Sequence, residues 1–215
     1  MIKSVLFDLD GTLIFAEKAI IKGIQKCFEL QNLCPPKEEE IKETIGLAMV
    51  DSFSVLKFPN PEEGANLYRN FFLEQPEDIT INSESIELLD ILVKRNILIG
   101  IVTNRRLAKR LVSKLPFPVS FDIIVDLSLD IQPKPSSEGI LYAMSQLNVT
   151  PREVIYVGDT HYDIIAGKSA GIGVIGYTKG IHGRDILKEY HPDWIIDSLE
   201  EILLILDNEN KGYNS

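Results

Sequence analysis

The chain has 215 residues, of which 45% are hydrophobic and 25% are charged, as is usual for a soluble globular protein. Its 22 Lys and Arg residues face 32 Asp and Glu residues, and the resulting net charge of −10 disfavours a nucleic acid or an anionic membrane surface as partner. Only two cysteines occur, Cys27 and Cys34, with no His or Cys cluster beside them, so we expect ordinary thiols, no zinc site and a cytoplasmic location.

The first predicted element is a strand over Val5–Phe7, which ends in two aspartates. Residues i and i+2 of a strand point the same way, so Asp8 and Asp10 leave its end on one side. Carboxylates so close repel each other, and a shared cation or proton is the usual reason to tolerate this. The alternative is a hairpin turn at Asp10-Gly11. Residues 14–22 weaken that interpretation because their apolar spacing is helical rather than alternating.

Residues 15–81 show helical spacing and no convincing buried strand. Amphipathic patterns predict helices at about 16–30, 37–45, 50–56 and 62–74. The segment is too long for a crossover between strands, so we expect a small all-helical domain inserted after the first strand. The predicted division is therefore a core of residues 1–14 and 82–215 and a helical domain of residues 15–81.

The remaining chain alternates strands with helices. Further strands are predicted at Leu98–Val102, Ile123–Val125, Val154–Val157, Gly173–Ile175 and Trp194–Ile196. Helices are predicted at 83–95, 106–114, 136–147, 162–170 and 199–206, before a polar tail, 207–215, that we expect to fray. Nearly continuous apolar runs suit strands covered on both faces, and the alternation predicts an α/β fold with a doubly wound parallel sheet. The apolar runs are far shorter than the roughly 20 residues that a membrane span needs, so none is expected.

Polar residues follow the predicted strands where a ligand site is expected. Thr103 and Asn104 follow one strand, and Asp159 and Asp163 follow another. Ligands of open parallel sheets bind at the carboxyl ends of the strands, next to a topological switch point. Lys134, between two prolines, adds a cation near a helix start, where the helix dipole disfavours it. The alternatives are a simple helix cap for the two acids and a solvated lysine.

Four segments then resemble, in order, the motifs of the haloacid dehalogenase-like hydrolase superfamily. They are Asp8-Leu9-Asp10-Gly11-Thr12, Thr103-Asn104, Lys134 and Gly158-Asp159-Thr160-His161-Tyr162-Asp163. The resemblance covers nearly the whole chain, and the inserted helical domain is similar to the family's helical cap. The combination resembles the branch that contains phosphoglycolate phosphatase, pyrophosphatase and β-phosphoglucomutase.

The resemblance implies a phosphatase that acts on a small soluble phosphorylated metabolite. It implies that Asp8 attacks phosphorus to form an aspartyl phosphate, while Asp10 protonates the leaving oxygen and then activates water. It also implies that Thr103, Asn104 and Lys134 bind the phosphoryl oxygens. A phosphomutase and a non-catalytic phospho-ligand binding protein are the alternatives, and the oligomeric state is left open.

The resemblance further implies a Mg²⁺ ion as cofactor. Its ligands would be the Asp8 and Asp159 carboxylates and the backbone carbonyl of Asp10, with Asp163 binding directly or through water. Hard oxygen donors of this kind are those that Mg²⁺ prefers.

Several neighbouring residues are not expected to take part in the chemistry. His161 is a poor Mg²⁺ ligand, and Arg105 and Arg106 are expected to lie in a solvated helix start. Phe15 follows the first motif where many phosphoglycolate phosphatase-like members carry an acidic residue. The Gly46-Leu47-Ala48 segment resembles a substrate-specificity loop but has an uninformative alanine third. The sequence therefore leaves the substrate open.

Overall fold

The computed structural model of the protein describes residues 1–71 and 78–211. Six strands form one parallel sheet in the order β5-β4-β1-β6-β7-β8. These strands are β1 (Ser4–Phe7), β4 (Leu98–Val102), β5 (Ile123–Val125), β6 (Val154–Gly158), β7 (Gly173–Tyr177) and β8 (Trp194–Ile196). All six lie where the apolar runs predicted them, and the α/β class with a parallel sheet is confirmed.

Helices cover both faces of this sheet. They are α5 (Ser83–Lys94), α6 (Ala108–Val112), α7 (Glu138–Leu147), α8 (His161–Ser169), α9 (Arg184–Glu189) and α10 (Glu201–Lys211). Val5 and Phe7 of β1 share a buried cluster with apolar residues of α5, α6 and α10. Leu6, which points to the opposite face, belongs to a second cluster with residues of α7 and α8. The near-continuous hydrophobicity of the strands follows from this double covering.

The helical domain lies between two short strands, β2 (Ile14–Phe15) and β3 (Thr80–Ile81), which pair antiparallel. Its helices are α1 (Glu17–Leu30), α2 (Glu38–Lys42), α3 (Met49–Val55) and α4 (Pro61–Phe71). Phe28, Phe53 and Phe58 form its interior, with ring centroids 4.9 to 6.2 Å apart. The all-helical cap is confirmed, and the two-residue strands at its base were not predicted because so short a run leaves no periodicity.

The structure corrects several predicted boundaries. The tail does not fray over 207–211, since these residues complete α10 and Asn210 Oδ1 accepts a 2.8 Å hydrogen bond from the Ile2 backbone N–H. Helix α6 is shorter than the predicted 106–114, and α9 was not predicted at all. Part of the predicted helix at 62–74, and residues 212–215 of the tail, lie outside the described residues.

Within residues 1–71 and 78–211, no helix combines the length and the apolar character needed to cross a bilayer.

Candidate active site

The sheet order places β1 between β4 and β6, at the switch point of the fold. The chain continues past β1 in register, because the Asp8 backbone N–H donates to the Val157 carbonyl at 2.8 Å. Asp8 and Asp159 therefore leave the ends of two adjacent strands. A carboxylate oxygen of each of Asp8, Asp159 and Asp163 lies within 4.8 Å of the other two. The structure therefore brings these three acids together.

Lys134 lies inside this acidic group. Its Nζ is 2.5 Å from Asp8 Oδ1 and 2.5 Å from Asp163 Oδ1, and it donates to the Tyr156 hydroxyl at 2.9 Å. Burial disfavours the charged amine, but Asp163 and Asp8 outweigh that effect and raise the pKa of Lys134. The residue is only 6% exposed, so the solvated-lysine interpretation is wrong. We call Asp8, Asp159, Asp163 and Lys134 the acidic centre.

Asp163 is the best satisfied acid of the centre. Its Oδ2 accepts from the Thr160 hydroxyl at 2.6 Å and from the Thr160 backbone N–H at 2.9 Å, which caps the start of α8. Its Oδ1 also accepts from the Tyr156 hydroxyl at 3.0 Å. Burial alone would raise the pKa of Asp163, but Lys134 and the Thr160 donors outweigh it and lower the pKa below its usual value. This acid is therefore ionised in the folded protein.

Asp159 and Asp8 differ from Asp163 in that their pKa values are raised. Asp159 accepts from the Thr12 hydroxyl at 3.1 Å and from the Ile181 backbone N–H at 2.7 Å, and no ion pair to it occurs in the described part of the chain. Burial, together with Asp8 and Asp163, raises the pKa of Asp159 well above its usual value. Burial also raises the pKa of Asp8 to about 7, against the opposing effect of Lys134. The centre therefore holds more acids than its one lysine can neutralise.

The acidic centre fits a divalent metal ion. Its three closely spaced donors are carboxylate oxygens, the ligands of hard cations such as Mg²⁺ and Ca²⁺. The backbone around them is kept free of side chains. A Cβ on Gly11, whose φ is +90°, or on Gly180 would come within 2.2 Å of Asp159 Oδ2. A bound cation would supply the positive charge that Asp159 lacks.

The Asp10 carboxylate pairs with Arg105. Arg105 Nε donates to Asp10 Oδ2 at 2.8 Å, and its terminal nitrogen donates to Oδ1 at 2.6 Å. The side chains of Arg105 and Asp10 are only 7% and 15% exposed. The prediction that Arg105 lies in a solvated helix start is therefore wrong, whereas its neighbour Arg106 is exposed. The sequence did contain a signal for a second buried cation, because the residues that follow these strands include more acids than Lys134 alone can neutralise.

Arg105 also lies near the cap. It lines the same cavity as Tyr68, a residue of α4 that is 3% exposed. Burial, more than any neighbouring charge, raises the pKa of Tyr68 to about 12. No feature of the sequence indicated this residue, because a tyrosine on an amphipathic helix is ordinarily part of a core.

Thr103 and Asn104 lie at the end of β4 as predicted. Thr103 is buried, and its hydroxyl accepts from the Arg105 backbone N–H at 3.1 Å. The Asn104 amide is fully engaged. Its Nδ2 donates to the carbonyls of Gly46 and Lys134 at 2.8 and 2.9 Å, and its Oδ1 accepts from the Lys134 backbone N–H at 2.7 Å. This side chain thus joins a cap loop to the segment that carries Lys134, rather than facing a ligand.

A cavity of about 280 Å³ lies between the cap and the strand ends. Asp8, Asp10 and Thr103 line it from the core, and the Gly46-Leu47-Ala48 loop lines it from the cap. Phe15 does not line this space, and it borders a separate cleft near β2 and β3. The volume suits a small ligand.

Comparisons with known proteins agree with this arrangement. The family model for haloacid dehalogenase-like hydrolases matches residues 5–177. The chain is 34% identical over 209 residues to the pyrophosphatase PpaX of Bacillus velezensis, covering 95% of this chain and 96% of the relative. A predicted phosphatase from Clostridium acetobutylicum superposes with a TM-score of 0.86 at 24% identity, covering 96% and 100% of the two chains. The β-phosphoglucomutase of Clostridium difficile superposes at 0.83 with 21% identity over 100% of both chains. At these identities the two structures show the shared fold alone.

Proposed function

Because the chain belongs to the haloacid dehalogenase-like hydrolases, we propose that it is a Mg²⁺-dependent phosphatase that hydrolyses a small soluble phosphomonoester through an aspartyl phosphate. One observation carries this proposal. Three carboxylates lie within 4.8 Å of one another, a buried lysine is bound to two of them, and one of these two, Asp8, lines a cavity of about 280 Å³ that suits a small substrate. Such a centre supplies a nucleophile and the charges that a phosphoryl group needs.

We assign the nucleophile to Asp8. Lys134 binds its Oδ1, which orients the carboxylate and leaves Oδ2 as the atom that attacks. The Oδ2–phosphorus bond forms as the bond from phosphorus to the leaving oxygen breaks, and Asp10 gives that oxygen a proton. In the second step Asp10 takes a proton from water, whose oxygen attacks phosphorus. Inorganic phosphate leaves and the Asp8 carboxylate is restored.

We assign the metal site to the Asp8 and Asp159 carboxylates and the Asp10 backbone carbonyl, with Asp163 binding directly or through water. When bound, Mg²⁺ would neutralise charge on the phosphoryl oxygens. The raised pKa of Asp159 supports this assignment, since a buried carboxylate is costly to ionise without a cation beside it.

Phosphate binding is assigned to the Thr103 hydroxyl, the backbone N–H of Asn104 and Lys134, which acts through its charge because its three hydrogens are donated to Asp8, Asp163 and Tyr156. The Asn104 backbone replaces its side chain in this role because both hydrogens of the amide are already donated. Lys134 provides a positive charge that stabilises the negative charge on the phosphoryl oxygens in the transition state.

We place the catalytic core at residues 1–14 and 82–215 and the cap at 15–81. The β2–β3 pair at the base of the cap supports this division. Opening of the cap would admit the substrate, and closing would exclude bulk water from the reacting phosphate. The net charge of −10 supports a small metabolite rather than a nucleic acid as substrate, and the cytoplasmic location stays a prediction.

The test is phosphate release from a panel of phosphorylated sugars, glycolate phosphate, nucleotides and pyrophosphate, with Mg²⁺ and with EDTA. We expect turnover of at least one small ester that EDTA abolishes and that Asp8→Asn reduces by about 10⁴-fold or more. Interconversion of sugar phosphates faster than phosphate release would indicate a phosphomutase instead. Unchanged function in Asp8→Asn would indicate a binding protein.

A further inference from the structure

We propose that the substrate is a phosphomonoester of an apolar alcohol, aliphatic or aromatic and without further charged groups, and that Leu47 and Leu127 bind its leaving group. This assignment rests on the proposed function and adds to it the chemical class of the alcohol that is released. In the proposed reaction Asp10 gives a proton to the leaving oxygen, and Asp10 lines the cavity between the cap and the strand ends. The group attached to that oxygen therefore extends into this cavity.

Two leucines line this cavity, one from the cap and one from the core. Leu47 belongs to the cap loop, and Leu127 follows β5. Both residues are half-buried. Within residues 1–71 and 78–211, neither belongs to a buried hydrophobic cluster or packs against one. Leucines that line a cavity without contributing to the core offer apolar surface that a ligand can cover.

Neighbouring side chains extend this apolar surface on both sides. Met49 and Val50 line the cavity from the cap, and Ile131 and Pro133 line it from the core. Each methylene that moves from water to such a surface favours binding by about 4-fold. A leaving group with an apolar chain would therefore gain affinity from both sides of the cavity.

The polar side chains of the cavity do not suit a sugar or another leaving group with many hydroxyls. Thr44 and Ser52 of the cap are buried, and their hydroxyls already donate to the backbone carbonyls of Ile41 and Thr44 at 2.8 and 3.2 Å. Both hydrogens of the Asn104 amide are also donated. A substrate hydroxyl would find no free hydrogen on these three side chains, and a hydroxyl that leaves water without a partner costs free energy.

The charges of the cavity do not favour a second anionic group on the substrate. Arg105 is already paired with Asp10 at 2.6 and 2.8 Å. Apart from this pair and Asp8, the charged residues of the lining are two cations and two acids, Arg69, Arg106, Glu62 and Asp130. Among the described residues, the lining thus has no surplus of cations that would attract a carboxylate or a second phosphate.

The experiment measures kcat/KM with Mg²⁺ for ethyl, propyl, butyl and pentyl phosphate, whose leaving alcohols differ little in acidity. We expect kcat/KM to rise by about 2- to 4-fold for each added methylene. Propyl phosphate should exceed glycerol 3-phosphate, which has the same carbon chain with two hydroxyls, by about 10-fold or more. Of two unreactive inhibitors, propylphosphonate should bind more tightly than the doubly anionic methylenediphosphonate, with Mg²⁺ in excess over both.

Substitutions at the two leucines test whether they bind the chain. Leu47→Asn and Leu127→Asn should each lower kcat/KM for pentyl phosphate by about 10-fold and for ethyl phosphate by less than about 2-fold. Leu30→Asn on the cap and Leu204→Asn on α10 are matched controls that should leave both values unchanged, because these leucines are exposed and do not line the cavity. Thermal unfolding confirms that each variant is folded. Where an Asn variant is unstable, Leu47→Ala or Leu127→Ala should flatten the series without adding a polar group.

The possible failures are distinguishable. Equal kcat/KM from ethyl to pentyl phosphate, a preference for glycerol 3-phosphate, or tighter binding of methylenediphosphonate would overturn the apolar class and leave the phosphatase proposal intact. A rising series that substitution of neither leucine flattens would overturn the assignment of Leu47 and Leu127. Absence of Mg²⁺-dependent turnover of every ester in the wild-type chain would overturn the phosphatase proposal and the apolar class with it.

Discussion

The acidic centre and the cap side of the cavity are built on opposite principles. The centre, Asp8, Asp159, Asp163 and Lys134, is charged and at most 6% exposed, and every member has at least one hydrogen-bond partner at a fixed distance. The cap side, which we call the cap wall, is formed mainly by apolar side chains, Ile45, Leu47, Ala48, Met49 and Val50. One wall of the cavity thus holds charged groups at fixed positions, and the other can contact a ligand mainly through apolar packing.

This difference assigns catalysis to the acidic centre and the choice of substrate to the cap wall. A buried charge that loses its partner costs several kcal/mol of free energy, about 3–5 by substitution, so a change at the centre should affect turnover and stability together. Apolar contacts discriminate between ligands by only about 1–3 kcal/mol per methylene, so a change in the cap wall should alter which substrate is preferred. Substitutions on the two sides of the cavity should therefore have separable effects.

The largest effect is expected from Lys134→Met. Removing this amine leaves Asp8 and Asp163 buried without their cation, which should lower the free energy of unfolding of the metal-free protein by about 3–5 kcal/mol. Turnover should be lost as well. Urea unfolding in EDTA and the phosphate-release assay measure the two effects.

Lys168→Met is the matched control for that substitution. Lys168 pairs with Asp193 at 2.6 Å, but both side chains are 38% exposed. Its loss should cost less than about 1 kcal/mol. Similar costs for the two lysines would contradict the view that the acidic centre depends on its buried cation.

The next effect concerns two acids of the same centre, Asp159 and Asp163. Asp159→Asn removes a buried acid whose raised pKa makes folding at neutral pH costly, so the metal-free protein should gain about 1 kcal/mol of stability while its stabilisation by Mg²⁺ falls. Asp163→Asn breaks the Lys134 and Thr160 contacts and should lose about 1–3 kcal/mol. Thermal unfolding with EDTA and with a Mg²⁺ series measures both. Loss of stability in Asp159→Asn would show that burial of this acid is not costly to the metal-free protein.

A smaller effect is expected where the cap loop meets the core, at Gly46. Its φ is +101°, and a Cβ there would lie 3.0 Å from the Tyr162 ring and 3.1 Å from Thr160 Cγ2. Gly46→Ala should therefore displace the loop and reduce kcat/KM by about 10- to 100-fold. Gly183→Ala, where a Cβ meets no atom within 4 Å, is the control and should leave kcat/KM unchanged. Equal rates for both variants would mean that this loop tolerates displacement.

The smallest effect tests whether the cap is a packed unit of its own. Cys27 in α1 is fully buried, and burial raises the pKa of its thiol to about 12, whereas Cys34 is exposed. At pH 8 the Cys27 thiol is therefore protonated and shielded, so iodoacetamide should label Cys34 alone in the native protein. Mass spectrometry should find a second label only in urea. Rapid labelling of Cys27 in the native protein would show that the cap interior opens.

The sheet and the acidic centre were predictable from the sequence because both leave local signals. Strand β4 at Leu98–Val102 is a continuous apolar run, and Thr103 and Asn104 follow it directly. Parallel strands end at one edge, so polar residues that follow apolar runs converge there whatever their separation along the chain.

What escaped prediction depends on contacts between distant residues. Arg105 and Asp10 are 95 positions apart, and an arginine after a strand resembles any solvated helix start. The Asn104 side chain has the chemistry to bind phosphate, and only the position of Gly46 and Lys134 shows that its amide is already used. Side-chain partners chosen by tertiary packing leave no trace in local spacing.

The antiparallel pairing of β2 with β3 brings the two ends of the cap side by side, with Ile14 opposite Ile81. A continuous stretch of the gene therefore encodes a unit whose entry and exit points coincide. Such a unit can be exchanged for another whose ends lie equally close together without changing the connectivity of the sheet. A single recombination event could therefore give this catalytic core a new substrate range.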